Sequence, residues 1–124
     1  MQPTDLDRSF FAQPGVLAAG GGGYHRMSLF HGDAATVGII AGPPVEVTLH
    51  LHREHDEFGY LISGSGRLRI GDATYDVEPG SAWGITRGTP HGAVFATDYR
   101  LLSWFTPADD PLAPDRVELD PETS

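Results

Sequence analysis

The stretch VEVTLHLHREHDEFGYLIS (45–63) has the clearest structural pattern in the chain. Its first eight residues alternate between apolar and polar side chains, and this period of two predicts a β-strand. The residues EFGYLIS (57–63) predict a second strand, and REHD (53–56) predicts a hairpin connection between the two. Such a hairpin would place Glu57 on the adjacent antiparallel strand, close to the histidines of the first strand.

Glycine and proline interrupt the rest of the chain at short intervals, with 16 glycines and 10 prolines among 124 residues. This spacing leaves little room for helices and favours short strands joined by turns. Further strands are predicted at YHRMSLF (24–30), TVGII (36–40), GRLRI (66–70), ATYDV (73–77), SAWGIT (81–86), GAVFA (92–96) and YRLLSWF (99–105). A series of short strands of this kind predicts an all-β fold, either an antiparallel sandwich or a small barrel.

A length of 124 residues fits a single domain with its own core. We predict the core at about 24–106, an N-terminal arm at 1–23 and a proline-rich, acidic tail at 107–124. The tail is interpreted either as disordered or as lying along the barrel or a partner subunit. The alternation of Val117 and Leu119 slightly favours packing.

The composition excludes several kinds of site and partner. Without cysteine, the chain has no disulfide, thiolate nucleophile or cysteine-ligated zinc. Every basic residue is an arginine, so a Schiff-base lysine and a Walker-type phosphate loop are also excluded. A net charge of −9 disfavours nucleic acid and anionic membranes as partners. We recognise no signal peptide and no apolar run that could cross a bilayer, so the cytoplasm is the expected location.

Three histidines and one glutamate form the main candidate site. His50 and His52 are two residues apart on one strand, so both rings are expected on the same face. Glu57 opens the next strand, and His91 opens another strand after a Gly-Thr-Pro turn. In a small barrel, these strands can direct four side chains to one interior point. Imidazole and carboxylate ligands together suit Fe(II), Mn(II), Ni(II), Cu(II) or Zn(II).

The spacing of these residues resembles the first motif of the cupin superfamily. That motif reads G, five or more residues, H-x-H, three or four residues, E, six residues, G. Here it corresponds to His50, His52, Glu57 and Gly64, and Gly42 lies before them at a slightly longer spacing than usual. The resemblance is to small, single-domain (monocupin) members that bind a metal.

A second cupin motif, G-x5-P-x-G-x2-H-x3-N, is also recognisable. It runs from Gly80 through Thr86-Arg87-Gly88 to His91. Thr86 replaces the proline of the motif, and Phe95 stands in place of the asparagine. These two departures bear on the shape of the turn and the strand, and they involve none of the candidate ligands.

The resemblance implies a cupin-type double-stranded β-helix, which is an antiparallel jelly-roll barrel, over residues 1–124. It implies one divalent ion held by His50, His52, Glu57 and His91. Fe(II) is the first expectation, and Zn, Mn, Ni or Cu are the alternatives. Some cupins use only the histidines, in which case Glu57 would act as a base beside the ion. The resemblance also implies a homodimer formed through sheet edges.

His55 lies in the predicted hairpin and is interpreted as a solvated loop histidine. The alternative is that it lies over the mouth of the site and shuttles protons.

The substrate pocket is predicted from strand alternation. Gly59 and Leu61 share the face of Glu57, and Phe95 shares the face of His91. Gly59 is predicted to leave room for a substrate, with the ring of Phe95 as a wall. Polar candidates for contact with the substrate are Tyr24, Arg26, Tyr60 and Arg69.

The expected function is that of a metal-dependent enzyme acting on a small organic molecule. The first hypothesis is a dioxygenase or other oxygenase with Fe(II), because this activity is the commonest among cupins of this kind. One alternative is a Lewis-acid isomerase, cyclase or lyase that uses Zn, Mn or Ni while a nearby base moves a proton. Another is a non-catalytic module in which the metal anchors a bound small molecule. Fold and ligands do not decide between these reactions.

Overall fold

The computed structural model describes the backbone of residues 18–19, 25–108 and 115–120, and the side chains of 32–108 and 115–120. The strands are β1 (Ala18–Ala19), β2 (His25–His31), β3 (Thr36–Gly42), β4 (Val45–Leu51), β5 (Asp56–Ser63), β6 (Gly66–Ile70), β7 (Ala73–Val77), β8 (Ala82–Ile85), β9 (His91–Phe95), β10 (Tyr99–Thr106) and β11 (Val117–Glu118). Each predicted strand is present to within two residues at either end. The two-residue strands β1 and β11 were not predicted.

The strands form two antiparallel sheets that pack as a jelly-roll β-sandwich. One sheet has six strands in the order β1-β2-β3-β10-β5-β8, and the other has five in the order β11-β4-β9-β6-β7. The all-β antiparallel jelly-roll expected from the sequence is confirmed. None of the described residues belongs to a helix long and apolar enough to span a membrane.

The hydrophobic core lies between the sheets, at one end of the strands. Leu61 is completely buried there, and the ring of Phe95 stacks on Tyr99 with centroids 4.2 Å apart. In the strand register Val45 lies opposite Phe95, whereas His50 lies opposite His91 further along the same pair. The two sheets therefore enclose an apolar end and an end that carries histidines.

The connection between β4 and β5 is not a hairpin, so the prediction made for residues 53–56 is wrong. Strand β4 pairs with β9 and β11, whereas β5 pairs with β10 and β8. The amides of Arg53 and Glu54 donate to the carboxylate of Asp115, at 2.9 and 2.6 Å, instead of to a neighbouring strand. The connection thus crosses between the sheets, and Glu57 faces the histidines across the sandwich.

A β-bulge in β4 decides which side chains point inward. Val47 pairs with Ala93 and His50 pairs with His91. An advance of three residues along β4 thus corresponds to two residues along β9, and β4 contains one extra residue. Val47 and His50 consequently both face the space between the sheets. The backbone of the bulge lies against Gly92, where a Cβ atom would be only 2.8 Å from the carbonyl oxygen of Val47. Glycine is therefore the residue that allows this close approach.

Candidate metal centre

Three histidines converge at the polar end of the sandwich. One ring nitrogen from each of His50, His52 and His91 lies within 4.8 Å of the other two. All three side chains are buried. His50 and His91 come from paired strands, and His52 follows immediately after the end of β4. The bulge described above turns this end of β4 so that its histidines face inward.

Each of these rings is held by a hydrogen bond from Nδ1 to a main-chain carbonyl oxygen. The acceptors are Thr48 for His50 (2.7 Å), Asp115 for His52 (2.5 Å) and Thr89 for His91 (2.9 Å). A carbonyl oxygen can only accept, so Nδ1 carries the proton and Nε2 keeps its lone pair. Among the described residues, the buried Nε2 atoms of His52 and His91 have no hydrogen-bond partner. This is the arrangement of metal-ligating histidines, whose other nitrogen is held by a carbonyl.

The turn before His91 is hydrogen-bonded to His52. Thr86 and Thr89 close the turn through their hydroxyl groups, 3.0 Å apart. Gly88 takes a positive φ of 81° and donates its amide to the carbonyl oxygen of His52 at 2.6 Å. Thr86, which replaces the proline of the motif, therefore preserves a tight turn by hydrogen bonding.

Glu57 faces the histidine cluster from the opposite sheet. Its Oε1 atom lies 3.2 Å from Nε2 of His52 and 3.6 Å from Nε2 of His91. Burial alone would raise the pKa of this carboxyl. The contacts with the two histidines have the larger, opposite effect and lower the pKa to about 2. The carboxylate is therefore ionised, and it brings a negative oxygen to the same point as the ring nitrogens.

The histidines differ in their affinity for protons. Burial lowers the pKa of His50 to about 4, so its ring is neutral at neutral pH. Burial also lowers the pKa of His52, but Glu57 and the carbonyl of Asp115 outweigh it and leave the pKa above the ordinary value. The shift of His50 is thus due mainly to burial, and that of His52 to the carboxylate and carbonyl groups beside it. Three imidazoles and a carboxylate are a donor set that fits a divalent transition-metal ion.

A cavity of about 220 Å³ opens onto this cluster between the two sheets. Apart from the four candidate ligands, its wall is largely aromatic and aliphatic, and includes Trp83, Phe95 and Phe105. Arg116, which precedes β11, also lines the cavity. The cavity is of a size for a small organic molecule or part of one.

Comparison with known proteins identifies the family. The sequence profile of the Cupin domain matches residues 39–105, which is more than half of the chain. The chain belongs to the cupin superfamily. No curated protein matches this cupin in sequence.

Solved structures similar to this cupin share its fold. KdgF from Halomonas sp. is 24% identical, with a TM-score of 0.76 over 86% of this chain and 99% of that one. An RmlC-like cupin from Shewanella frigidimarina is 23% identical, with a TM-score of 0.76 over 91% of this chain and all of that one. A Streptomyces PAC13 variant with uridine is 12% identical, with a TM-score of 0.67 over 79% of each chain. At these identities the likeness establishes the fold alone.

The predicted pocket residues of this cupin lie in different places. Gly59 and Phe95 line the cavity. However, a Cβ atom on Gly59 would overlap the indole ring of Trp83, so the room expected above Gly59 is filled and that prediction is wrong. Gly59 on β5 and Trp83 on β8 lie opposite each other in the sheet, and the indole ring of Trp83 occupies the space that the glycine leaves.

Among the described side chains, the other predicted pocket residues do not line the cavity. Leu61 is buried in the core, and Tyr60 is exposed on the outer face of the six-stranded sheet. Arg69 donates from Nε to the carbonyl oxygen of Gly71 at 2.9 Å and lines a separate surface depression. Tyr24 and the side chain of Arg26 lie outside the described part of the chain.

His55 of the cupin is buried, with 2% of its surface exposed, so its interpretation as a solvated loop residue is wrong. Its ring stacks on that of His52 with centroids 4.5 Å apart. It also makes an edge-to-face contact with the ring of Phe105, with centroids 4.6 Å apart. Its Nδ1 atom lies 3.3 Å from Oδ2 of Asp115. Among the described residues, it belongs neither to the converging histidines nor to the cavity wall. Its role is to pack against the ring of His52.

Sequence reasoning missed Asp115 and Arg116, which bring the C-terminal segment to the site. Asp115 contacts the connection after β4, and Arg116 lines the cavity. The alternation of Val117 and Leu119 was the one signal for this packing, and β11 does pair with β4. Nothing in that alternation indicates which residues of β4 the segment contacts.

Proposed function

We propose that this cupin is a metal-dependent enzyme acting on a small organic molecule, with one ion held by His50, His52, His91 and Glu57. The observation that carries the proposal is the orientation of three buried imidazoles. Their Nδ1 atoms are occupied by carbonyl oxygens, while a second nitrogen from each ring converges on a small cavity. A structural role alone would not require an open cavity beside the ligands.

The properties of Glu57 support its role as the fourth ligand. The pKa of this carboxyl is held at about 2 beside the histidines, so it is ionised at neutral pH. The same ionised oxygen is well suited to bind a divalent cation. Three nitrogens and one oxygen from the protein would leave coordination positions for a substrate.

Oxygenation is the reaction that we favour. Fe(II), when bound, would supply the activation of O2 for oxidation of a substrate that chelates it. The protein contributes the walls of the cavity, where Trp83, Phe95 and Phe105 exclude water and hold an apolar substrate against the ligands. Among the described wall residues, no aspartate or glutamate other than Glu57 is present to move a substrate proton. This supports oxidation more than proton-transfer chemistry.

The second candidate is Lewis-acid isomerisation, cyclisation or elimination, with Zn, Mn or Ni. It is supported by the position of Glu57, whose Oε1 atom lies 3.2 Å from Nε2 of His52 and 3.6 Å from Nε2 of His91. If the three histidines hold the ion alone, this carboxylate is next to any substrate that binds it. Glu57 would then be the base that moves the proton.

The test is elemental analysis of natively expressed protein, followed by oxygen consumption with 1,3-diketones, catechols and hydroxy acids. We expect close to one iron per chain and O2 uptake with at least one of these classes, and none after treatment with a chelator. Iron without O2 uptake from any substrate would count against oxygenation. Zinc, manganese or nickel, with isomerised or eliminated products, would favour the second candidate. Bound metal without any turnover would indicate a binding module.

We propose that the homodimer forms through the outer face of the six-stranded sheet, instead of through the sheet edges that the resemblance implies. Phe58, Tyr60, Ile62 and Trp104 are exposed there, and Trp104 lies beside Phe58 in the strand register. A contiguous apolar surface of this kind is usually covered by a partner, and a second copy would cover both faces at once. In sedimentation equilibrium, we expect a dimer that Trp104→Glu converts to a monomer, whereas Tyr75→Glu, on the other sheet, leaves it dimeric. A monomeric wild type would refute the proposal.

A further inference from the structure

Asp115 makes several contacts with the connection that carries His52, one of the proposed metal ligands. Its carbonyl oxygen accepts from Nδ1 of His52 at 2.5 Å. Its two carboxylate oxygens accept from the amides of Arg53 and Glu54, at 2.9 and 2.6 Å. One of them also lies 3.3 Å from Nδ1 of His55. Four consecutive residues, 52–55, thus depend on one residue near the C-terminus.

The residues after Asp115 hold it in place along β4. Val117 and Glu118 pair with Leu51 and His50, so β11 extends the five-stranded sheet beside the ligand strand. The amide of Leu119 donates to the carbonyl oxygen of Leu49 at 3.0 Å. In addition, the hydroxyl of Thr48 donates to Glu118 at 2.8 Å, and Arg116 contacts both side chains.

The carbonyl oxygen that accepts from His52 belongs to a distant segment of the chain, unlike those that accept from His50 and His91. His50 and His91 donate to carbonyl oxygens two residues earlier in their own segments. His52 donates to a residue 63 positions away. The tautomer and orientation of the first two rings are therefore fixed locally, whereas those of His52 depend on how residues 115–120 dock.

We propose that Asp115 is a positioning residue of the metal centre, and that metal binding and docking of residues 115–120 stabilise each other. The carboxylate fixes the backbone of Arg53 and Glu54, and this places the carbonyl of Asp115 against His52. A docked segment presents Nε2 of His52 to the ion, and an ion on Nε2 holds the ring in the orientation that the segment requires. The inference rests on the proposed metal site, but it concerns a segment that supplies no ligand.

The first experiment is titration of chelator-treated protein with Co(II), followed by visible absorption. For Asp115→Ala we expect the Kd to rise by about 10-fold or more, with altered absorption bands, because the carboxylate no longer fixes the main-chain carbonyl that accepts from His52. Asp115→Asn keeps one acceptor oxygen and is expected to restore part of the affinity. Asp76→Ala removes an exposed carboxylate paired with Arg67 on the other edge of the sheet, and is expected to match the wild type.

The second experiment measures docking directly in the wild-type protein. Trypsin cleavage after Arg116 releases residues 117–124, which mass spectrometry detects, and we expect Co(II) to slow this cleavage. The expected protection needs no variant, so it tests the coupling even if Asp115→Ala fails to fold.

The outcomes separate the two proposals. If the wild type binds no Co(II), the metal site itself fails. If the wild type binds Co(II) while Asp115→Ala binds it equally well with the same spectrum, the positioning role is overturned and the metal site stands. Lower thermal stability of Asp115→Ala with an unchanged Kd would likewise leave Asp115 a purely structural role. Cleavage at an unchanged rate in the presence of Co(II) would overturn the coupling.

Discussion

Replacing His91 with glutamine is expected to weaken the binding of a divalent ion by at least about 100-fold, more than the loss of a group outside the ligand set. The ring of His91 is buried, and its Nε2 atom has no hydrogen-bond partner among the described residues. Glutamine keeps much of the volume but does not place a nitrogen lone pair at that point. Isothermal titration calorimetry with Zn(II) or Co(II), on protein shown by circular dichroism to be folded, measures the loss.

His55→Gln is the matched control for this substitution. His55 is as buried as His91 but is not one of the converging histidines. Its loss removes a ring that stacks on His52, so the Kd is expected to rise far less than for His91→Gln. Equal losses in the two variants would mean that the cluster was assigned wrongly, and wild-type affinity in His91→Gln would exclude His91 as a ligand.

Leu61→Ala is expected to reduce the free energy of unfolding by about 2–5 kcal/mol. Leu61 is completely buried and belongs to the core cluster with Phe95, Tyr99 and Leu101. Its truncation would remove apolar contacts and leave a cavity in the part of the sandwich that does not carry the histidines. Denaturant unfolding of the metal-free protein measures the change without a contribution from ion binding.

The neighbouring substitution Ile62→Ala provides the control for Leu61→Ala. Ile62 is on the same strand but faces outward and is 42% exposed. Its truncation is expected to change the free energy of unfolding by about 0.5 kcal/mol or less when both variants are made in the monomeric Trp104→Glu protein. If both variants lost the same amount, the assignment of inward and outward faces on β5 would be incorrect.

The strand pattern was predictable because it depends on local features. Alternating side chains and the turns at Gly71 and Gly80, both with positive φ, lie within a few residues of the strands that they define. Spacing within the motifs likewise identified the histidines that the fold brings together. These signals act over short distances, and they were sufficient for the fold class and most of the candidate ligand set.

Strand alternation could not reveal the bulge. A regular strand would place Val45 and Val47 on the face opposite His50 and His52. The extra residue before His50 changes the phase, so that Val47, His50 and His52 all line the cavity. The reason is a long-range one, because the bulge fits over Gly92 on the neighbouring strand.

Contacts between distant segments account for the remaining errors. His55 stands among charged residues, which is the composition of a solvated loop, yet Asp115 and Phe105 cover it. Gly59 left a space that only the sheet register shows to be filled by Trp83. In each case the deciding partner lies more than twenty residues away in sequence, beyond the range of periodicity or turn patterns.

A crystal structure of the metal-loaded protein, with anomalous scattering recorded at the absorption edge of the ion, tests the metal centre most directly. We expect a single peak about 2.0–2.2 Å from the Nε2 atoms of His50, His52 and His91, with an oxygen of Glu57 beside it. The Nδ1 atoms should remain on the carbonyl oxygens of Thr48, Asp115 and Thr89. A peak elsewhere on the chain, or no peak in protein saturated with metal, would contradict the metal centre.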